Sequence, residues 1–275
     1  MKKSIVWLAS YPKSGNTWMR IFLANYLMNL DKPVPINQTH RFGLGDSIPK
    51  MYQAVAGRPV DLRDHDVSLA LRDKVLEGIV RNNADVNFVK THNVRGDAFG
   101  VPLIPERFTR SAIYILRNPL DMVLSYARHY GMDPAQATEA IGRLDNANSP
   151  DQTTVWQFLS SWSDHVKGWT ARASYPVCVV RYEDMLDQPQ KTFGKVLEHI
   201  GISVQQDRLD KAIRFSSFDE VQKQEDETGF VEHPGKAERF FNKGKSGQWE
   251  TDLDPELVER IRREHRNTMK LYGYL

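Results

Sequence analysis

Two apolar runs, residues 5–9 and a second beginning at Trp18, flank the segment Ser10-Tyr11-Pro12-Lys13-Ser14-Gly15-Asn16-Thr17. The first run, Ile5-Val6-Trp7-Leu8-Ala9, has the length and composition of a buried strand; the second has those of a mostly buried helix over 17–28. This juxtaposition restricts the chain to folds in which the carboxyl end of a strand meets the amino end of a helix across a short loop. Such a junction is a ready anion site, because the first-turn amides lack helical partners and the helix dipole favours negative charge there. Lys13 adds a full charge and Thr17 a hydroxyl, and the first thirty residues contain no Asp or Glu to oppose an anion. The segment is not the usual P-loop, whose Lys follows the last Gly; here Lys13 precedes the only Gly by two residues. Taken alone, Pro-Lys-Ser-Gly is also compatible with an ordinary capped turn.

The rest of the chain repeats the alternation. Strands are predicted at 5–9, 86–91, 112–116 and 177–181, and helices at 17–28, 68–81, 119–130, 154–172, 189–200, 206–215 and 255–272. Strands alternating with helices predict an α/β fold: one domain spanning 1–275, with a central parallel sheet flanked by helices. Ligands of such sheets bind beyond the carboxyl ends of the strands. Two stretches, 31–66 and 132–151, break the alternation and are expected to be long loops walling a second pocket, or plain surface excursions.

Three of the predicted strands end in residues that carry chemistry. Phe88-Val89-Lys90-Thr91-His92 delivers a cation and an imidazole two residues apart, hence on one face. Together they suit the binding of developing negative charge and the acceptance of a proton, although a lone histidine is more often structural. Leu116-Arg117-Asn118-Pro119-Leu120-Asp121 reads as a strand end followed by a helix start, with Asn118 at the N-cap, Pro119 at N1 and Asp121 in the first turn. Those roles leave Arg117 free to hold a phosphate with two hydrogen bonds. Val180-Arg181-Tyr182-Glu183-Asp184 ends the last strand, its acids suited to the next helix or to Arg181. Near the C-terminus, Arg239-Phe240-Phe241-Asn242-Lys243-Gly244-Lys245-Ser246-Gly247-Gln248-Trp249 is a glycine-containing basic loop. With Gly235 and Lys236 it has the composition of a lid ordered by an anion, or of a solvated turn.

In chain order these segments resemble sulfotransferases of the cytosolic type, which use PAPS (adenosine 3′-phosphate 5′-phosphosulfate). The resemblance runs from residue 4 to 249 and implies a P-loop-kinase-like fold and, as expected here, a bacterial member of the family. It implies that Lys13, Ser14, Gly15, Asn16 and Thr17 hold the 5′-phosphosulfate, that His92 is the general base, and that Lys90 contacts the sulfuryl group. It further implies Arg117 and Ser125 at the 3′-phosphate, and Trp18, Tyr182, Ser216 and Phe218 around adenine. Lys243 and Gly244 belong to a loop that closes over the 3′-phosphate. Here the chain departs from the family's Arg-Lys-Gly-x-x-Gly-Asp-Trp: Asn242 replaces the Arg and Gln248 the Asp, with Arg239 or Lys245 as candidate replacements. For Trp18, Tyr182 and Phe218, core packing competes with ring stacking. The Lys-x-x-x-Thr-Val dimer motif of animal members is absent, so the oligomeric state is left open.

The expected reaction is sulfuryl transfer from PAPS to a hydroxyl, less favourably an amine, of a small-molecule, natural-product, lipid or sugar acceptor, without a metal. Two other readings stand beside it. A Mg²⁺-dependent kinase would need a carboxylate at a strand end, for which Glu183 or Asp184 could serve; a non-catalytic nucleotide-binding module would not require His92. Composition excludes less than the motifs do. Thirty-seven basic and 35 acidic residues leave a formal charge of +2, which does not suggest a nucleic-acid or membrane-surface binder. The single Cys178 reads as an inert strand thiol. With neither a leader-like segment nor an apolar run of roughly 18 residues, a cytoplasmic location without a membrane span is expected.

Overall fold

A computed structural model describes residues 2–232 and 239–275. Its central sheet has five parallel strands, β1 Ile5–Ser10, β2 Leu44–Gly45, β3 Asn87–Thr91, β4 Thr109–Leu116 and β5 Val177–Arg181, in the spatial order β2-β3-β1-β4-β5. β1 is central and every one of its residues is buried, which is why its sequence is apolar throughout rather than alternating. Ile5, Trp7 and Ala9 enter the core on one face; Val6 and Leu8 enter the core on the other.

Helices cover both faces. They are α1 Asn16–Met28, α2 Pro49–Ala56, α3 His65–Val80, α4 Pro119–Tyr130, α5 Pro134–Gly142 and α6 Trp162–Thr170, then α7 Tyr182–Asp187, α8 Pro189–His199, α9 Gln206–Phe215, α10 Phe218–Thr228, α11 Trp249–Asp252 and α12 Pro255–Leu271. α1 lays Met19, Phe22, Leu23 and Tyr26 against Val6 and Leu8, and Phe22 stacks on Phe193 of α8 at 3.9 Å between ring centroids. Each such buried side chain contributes roughly 1.5–3 kcal/mol of transfer free energy, which holds the amino end of α1 at the end of β1. Cys178 is buried in β5, where desolvation raises its thiol pKa. Among the described residues no helix is long and apolar enough to cross a membrane.

The fold corrects three sequence expectations. The helix predicted at 154–172 is confined to Trp162–Thr170. Residues 157–158 instead pair antiparallel with Ala147–Asn148, Ser160 adopts φ 58°, and Ser161 caps α6 by accepting the Asp164 amide. Val155, Leu159, Trp162, Val166 and Trp169 are all buried, so a 3–4 spacing of core residues arose from a ribbon followed by a helix. The stretch 31–66 is not irregular; it holds a 3₁₀ turn at Ile36–Phe42, β2 and α2. The stretch 132–151 contains α5, started by Pro134 at N1 and by a capping box in which Asp133 and Gln136 exchange backbone bonds.

Candidate active site

At the end of β1 the chain turns through Lys13, a non-glycine residue at φ 67°, and through Gly15 at φ 103°, which is the N-cap of α1. A Cβ on Gly15 would lie 2.7 Å from the Tyr182 ring, so that ring packs directly on the loop. No side chain caps α1, no acid occupies its first turn, and among the described residues the buried Ser14 hydroxyl has no hydrogen-bond partner. These are the features of an anion cradle. Asn16 is used structurally, its Nδ2 donating to the Leu8 carbonyl at 2.8 Å. The Lys13 ammonium lies 4.0 Å from the centre of the Phe240 ring and 3.5 Å from His129 Nδ1. Burial, and then repulsion from Lys90, Arg117 and Arg128, lower its pKa to about 7.

His92 follows β3 and returns to β1. Its Nδ1–H donates to the Ser10 carbonyl at 2.8 Å, which fixes the tautomer and leaves Nε2 with its lone pair. Burial, then the neighbouring Lys90 charge, push its pKa well below the ordinary histidine value, so the imidazole is neutral at physiological pH. The residues around it are held tightly. His165 Nε2–H donates to the His92 carbonyl at 3.1 Å and His165 Nδ1 accepts from Tyr114 at 2.9 Å. On the other side, buried Asp46 accepts from Thr91 Oγ1 (2.7 Å), Asn93 Nδ2 (3.1 Å) and Arg72 Nη2 (2.7 Å).

A charge cluster invisible in the motifs lies beside Lys90. Arg20 of α1, 1% exposed, holds Glu232 through both terminal nitrogens at 2.8 and 2.7 Å and donates to Thr17 Oγ1 at 3.1 Å. The same carboxylate is 3.6 Å from Lys90 Nζ. Burial alone would raise the Glu232 pKa, but Lys90 and Arg20 outweigh it and hold it far below the usual range. A Cβ on Gly43 would collide with the Arg20 stem, so residues 43, 20 and 232 form one unit although they are scattered in sequence.

The remaining residues close the cleft. Arg117 Nη1 donates to the Lys13 carbonyl at 3.0 Å, and its guanidinium lies over the Tyr182 ring at 4.3 Å, with Nε buried and unpartnered. Trp18 meets Tyr182 edge-on at 5.7 Å and donates Nε1–H to the Ser216 carbonyl at 2.7 Å. The Ser216 hydroxyl turns back onto α9, donating to Ala212 O at 2.8 Å; its backbone, not its side chain, faces Trp18. Gly244, at φ 58°, rests against the Phe218 ring so closely that no Cβ fits. Lys243 is paired with Asp252 at 2.7 Å. Asp121, read from sequence as a first-turn acid only, also accepts the amides of Gly247 (2.7 Å) and Trp249 (3.1 Å), tying the basic loop to α4. Gly235 and Lys236 lie outside the described residues. Lys13, Ser125, Arg128 and Asn242 line one small cavity. The Ser14 hydroxyl and Arg117 Nε, without partners among the described residues, the uncapped α1 and this cavity fit a ligand with two anionic ends.

Residues 3–273 match the sulfotransferase domain. The chain belongs to the sulfotransferase domain family. It is 26% identical over 257 residues to Sulfotransferase 1B1 of Canis lupus familiaris, covering 88% of this chain and 75% of that protein. It is likewise 26% identical over 273 residues to Sulfotransferase 1A1 of Rattus norvegicus, covering 95% and 83%. Two solved structures share its fold: mouse sulfotransferase SULT7A1 complexed with PAP (TM-score 0.61, 20% identity, 98% of this chain and 86% of that one) and retinol dehydratase in complex with androsterone and inactive cofactor PAP (0.65, 18%, 98% and 82%). Of the two acids offered to the kinase reading, Glu183 accepts the Asn118 amide at 2.9 Å and the Tyr274 hydroxyl at 2.8 Å, and Asp184 lies 4.0 Å from Arg181.

Proposed function

We propose that this sulfotransferase moves the sulfuryl group of PAPS onto a hydroxyl, or less readily an amine, of a small-molecule acceptor, with His92 as general base. The observation that carries this reading is the Nδ1–H bond of His92 to Ser10 O: it leaves a neutral, proton-accepting Nε2 on a histidine at the end of β3, within electrostatic reach of Lys90. PAPS supplies an electrophilic sulfur and a bisphosphate leaving group. As the acceptor oxygen bonds to sulfur and the bond from sulfur to the 5′-phosphate oxygen breaks, His92 Nε2 takes the acceptor proton. Lys13 offsets the charge developing on the departing oxygen, and Lys90 steadies the sulfuryl oxygens. The loop Ser14–Gly15–Asn16–Thr17 holds the 5′-phosphate, Arg117 and Ser125 the 3′-phosphate, and Trp18, Tyr182 and Phe218 the adenine. Ser216 contributes by positioning Trp18. Positioning and fixed charge supply most of the acceleration in such a site. The segments 31–66 and 132–151 form the acceptor walls.

The test of the nucleotide class is thermal stabilisation. Adenosine 3′,5′-bisphosphate at about 100 times its Kd should stabilise the protein by roughly 2.7 kcal/mol, while ATP with Mg²⁺ at the same concentration should do much less. Equal stabilisation would favour the kinase reading, and a mass gain of one SO₃ on an acceptor incubated with PAPS completes the assignment.

The lowered Lys13 pKa adds a pH signature. A bound phosphate favours the ammonium and raises its pKa, so binding takes up a proton once the free group is neutral. Affinity for adenosine 3′,5′-bisphosphate is therefore expected to be full below pH 7 and to weaken above it, by up to about tenfold per pH unit, until the bound-state pKa is passed. Calorimetry at pH 8 in buffers of different ionisation enthalpy should register the uptake. Lys13→Met should abolish it; uptake unchanged in that variant would assign the proton elsewhere.

A further inference from the structure

We infer that Arg128, in the last turn of α4, is a second guanidinium of the 3′-phosphate subsite and that this residue gives the protein its preference for a bisphosphate over a monophosphate. The inference rests on the nucleotide reading above. Arg128 follows Ser125 by three residues, so the two share a helix face, and both line the cavity that Lys13, His129, Arg239, Phe240 and Asn242 complete. The cavity has a volume of about 20 Å³, room for little more than a water, and Phe240 lies over the Lys13 ammonium at its edge. A phosphate entering there must displace that ring, and it would then meet the Ser125 and Arg128 side chains.

The charges around the cavity single out Arg128. Arg239 is committed to Asp226 at 2.9 Å and Lys243 to Asp252 at 2.7 Å. Lys245 is not part of the lining. Asn242, which stands in the lining, carries no charge. Among the described residues Arg128 makes no hydrogen bond or ion pair, and the nearest acid that acts on it, Asp252, already holds Lys243. Burial, and then repulsion from Arg117, lower its pKa. Two guanidinium groups that repel each other in this way are stabilised by a shared dianion. A cation near the end of a helix also answers the helix dipole, but that accounts for its sign and not for its place beside Ser125. Of the two loop cations offered by the sequence as replacements at position 242, Arg239 is ion-paired and Lys245 lies off the cavity; the charge comes from α4 instead.

The experiment compares adenosine 3′,5′-bisphosphate with AMP by calorimetry on the full chain. Wild type should prefer the bisphosphate. Arg128→Gln should lose roughly 10- to 100-fold in bisphosphate affinity, the range of a charge-assisted hydrogen bond, and less than threefold in AMP affinity. Arg239→Gln, the same charge change on the same cavity, should cost less than threefold for either ligand. The double variant Arg128→Gln/Asn242→Arg, which returns a guanidinium from the loop, should recover at least tenfold. The inference is overturned if Arg128→Gln leaves bisphosphate affinity within threefold of wild type, if it weakens AMP as much, or if Arg239→Gln is equally damaging. A wild type that does not discriminate the two ligands would overturn the nucleotide reading itself, and this inference with it.

Discussion

His92→Ala should lower kcat by roughly 100- to 10,000-fold, the usual span for loss of a general base, while affinity for adenosine 3′,5′-bisphosphate stays within about threefold. The separation follows from where the imidazole is held. Its Nδ1 is occupied by Ser10 O, so Nε2 is the only ring nitrogen able to take a proton, and the bisphosphate lacks the sulfuryl group beside which that nitrogen acts. Turnover and calorimetric affinity, measured on a variant shown to be folded, decide it; near-normal turnover would demote His92 to a packing residue. The pH profile gives a second reading of the same group. A base must be neutral to work, and burial together with Lys90 lowers this histidine's pKa. The acid limb of kcat/KM should therefore lie below the ordinary histidine range, with no loss of rate as pH falls through that range. A limb at the ordinary histidine value would mean that neither burial nor the charge of Lys90 acts on the base.

Arg72→Ala should destabilise the fold by about 3–5 kcal/mol, the usual penalty for stranding one member of a buried ion pair. Asp46, 0% exposed, would lose its ion-pair partner and be left, among the described residues, with Thr91, Asn93 and Ser47 to bond it. Arg72 also donates Nε–H to Leu103 O at 2.8 Å, and that carbonyl would be left without this donor. Because Thr91 and Asn93 flank His92, the change should reach catalysis too. Replacing both partners with apolar residues, Asp46→Leu and Arg72→Met, should restore much of the stability but leave kcat depressed, since neither Thr91 nor Asn93 regains its acceptor. Denaturant midpoints and kcat measured on the single and double variants test both parts. A single-variant loss below 1 kcal/mol, or a double variant with full turnover, would show that the pair neither holds the fold nor positions the base.

Much of this was readable from the sequence where one short stretch carries both element and chemistry. Residues 5–18 announce a strand, an anion loop and a helix in a row, and Lys90 and His92 sit where a strand delivers them. Asn118 and Pro119 start α4 as their chemistry dictates, with Asn118 accepting the Leu120 amide. What escaped is what depends on distant partners. Glu232 meets Arg20 across 212 positions, and nothing near either residue signals the other. Asp46 sat in a stretch expected to be loop, yet its amide bonds to Lys90 O at 3.1 Å, which places it at the edge of β3. The Ser216 hydroxyl, expected from the resemblance beside adenine, donates to Ala212 O, because a hydroxyl near a helix end readily finds a backbone carbonyl. The helix misplaced at 154–172 arose from burial spacing, which a ribbon feeding a helix can imitate. By contrast the capping pair Asp133 and Gln136 was a local signal for α5 that the sequence did contain.

The anchoring of the two segments proposed to face the acceptor bears on how this enzyme could be re-engineered. Asn146 donates to the Tyr11 hydroxyl at 2.7 Å, and its carbonyl accepts the Leu159 and Ser160 amides at 3.0 and 2.9 Å. Tyr11 itself lies in the loop between β1 and α1. Asp46 and Ser47 make the matching attachment for the other segment, with the Ser47 carbonyl accepting the Val155 amide at 2.8 Å. One segment is thus tied to the β1–α1 loop, and both are tied to residues 155–160 between α5 and α6, not hung from a neutral frame. Acceptor range would not transfer between homologues by exchanging residues 31–66 or 132–151 as cassettes unless each graft kept its stitch, Asp46 in one and Asn146 in the other, in register with Thr91 and Tyr11.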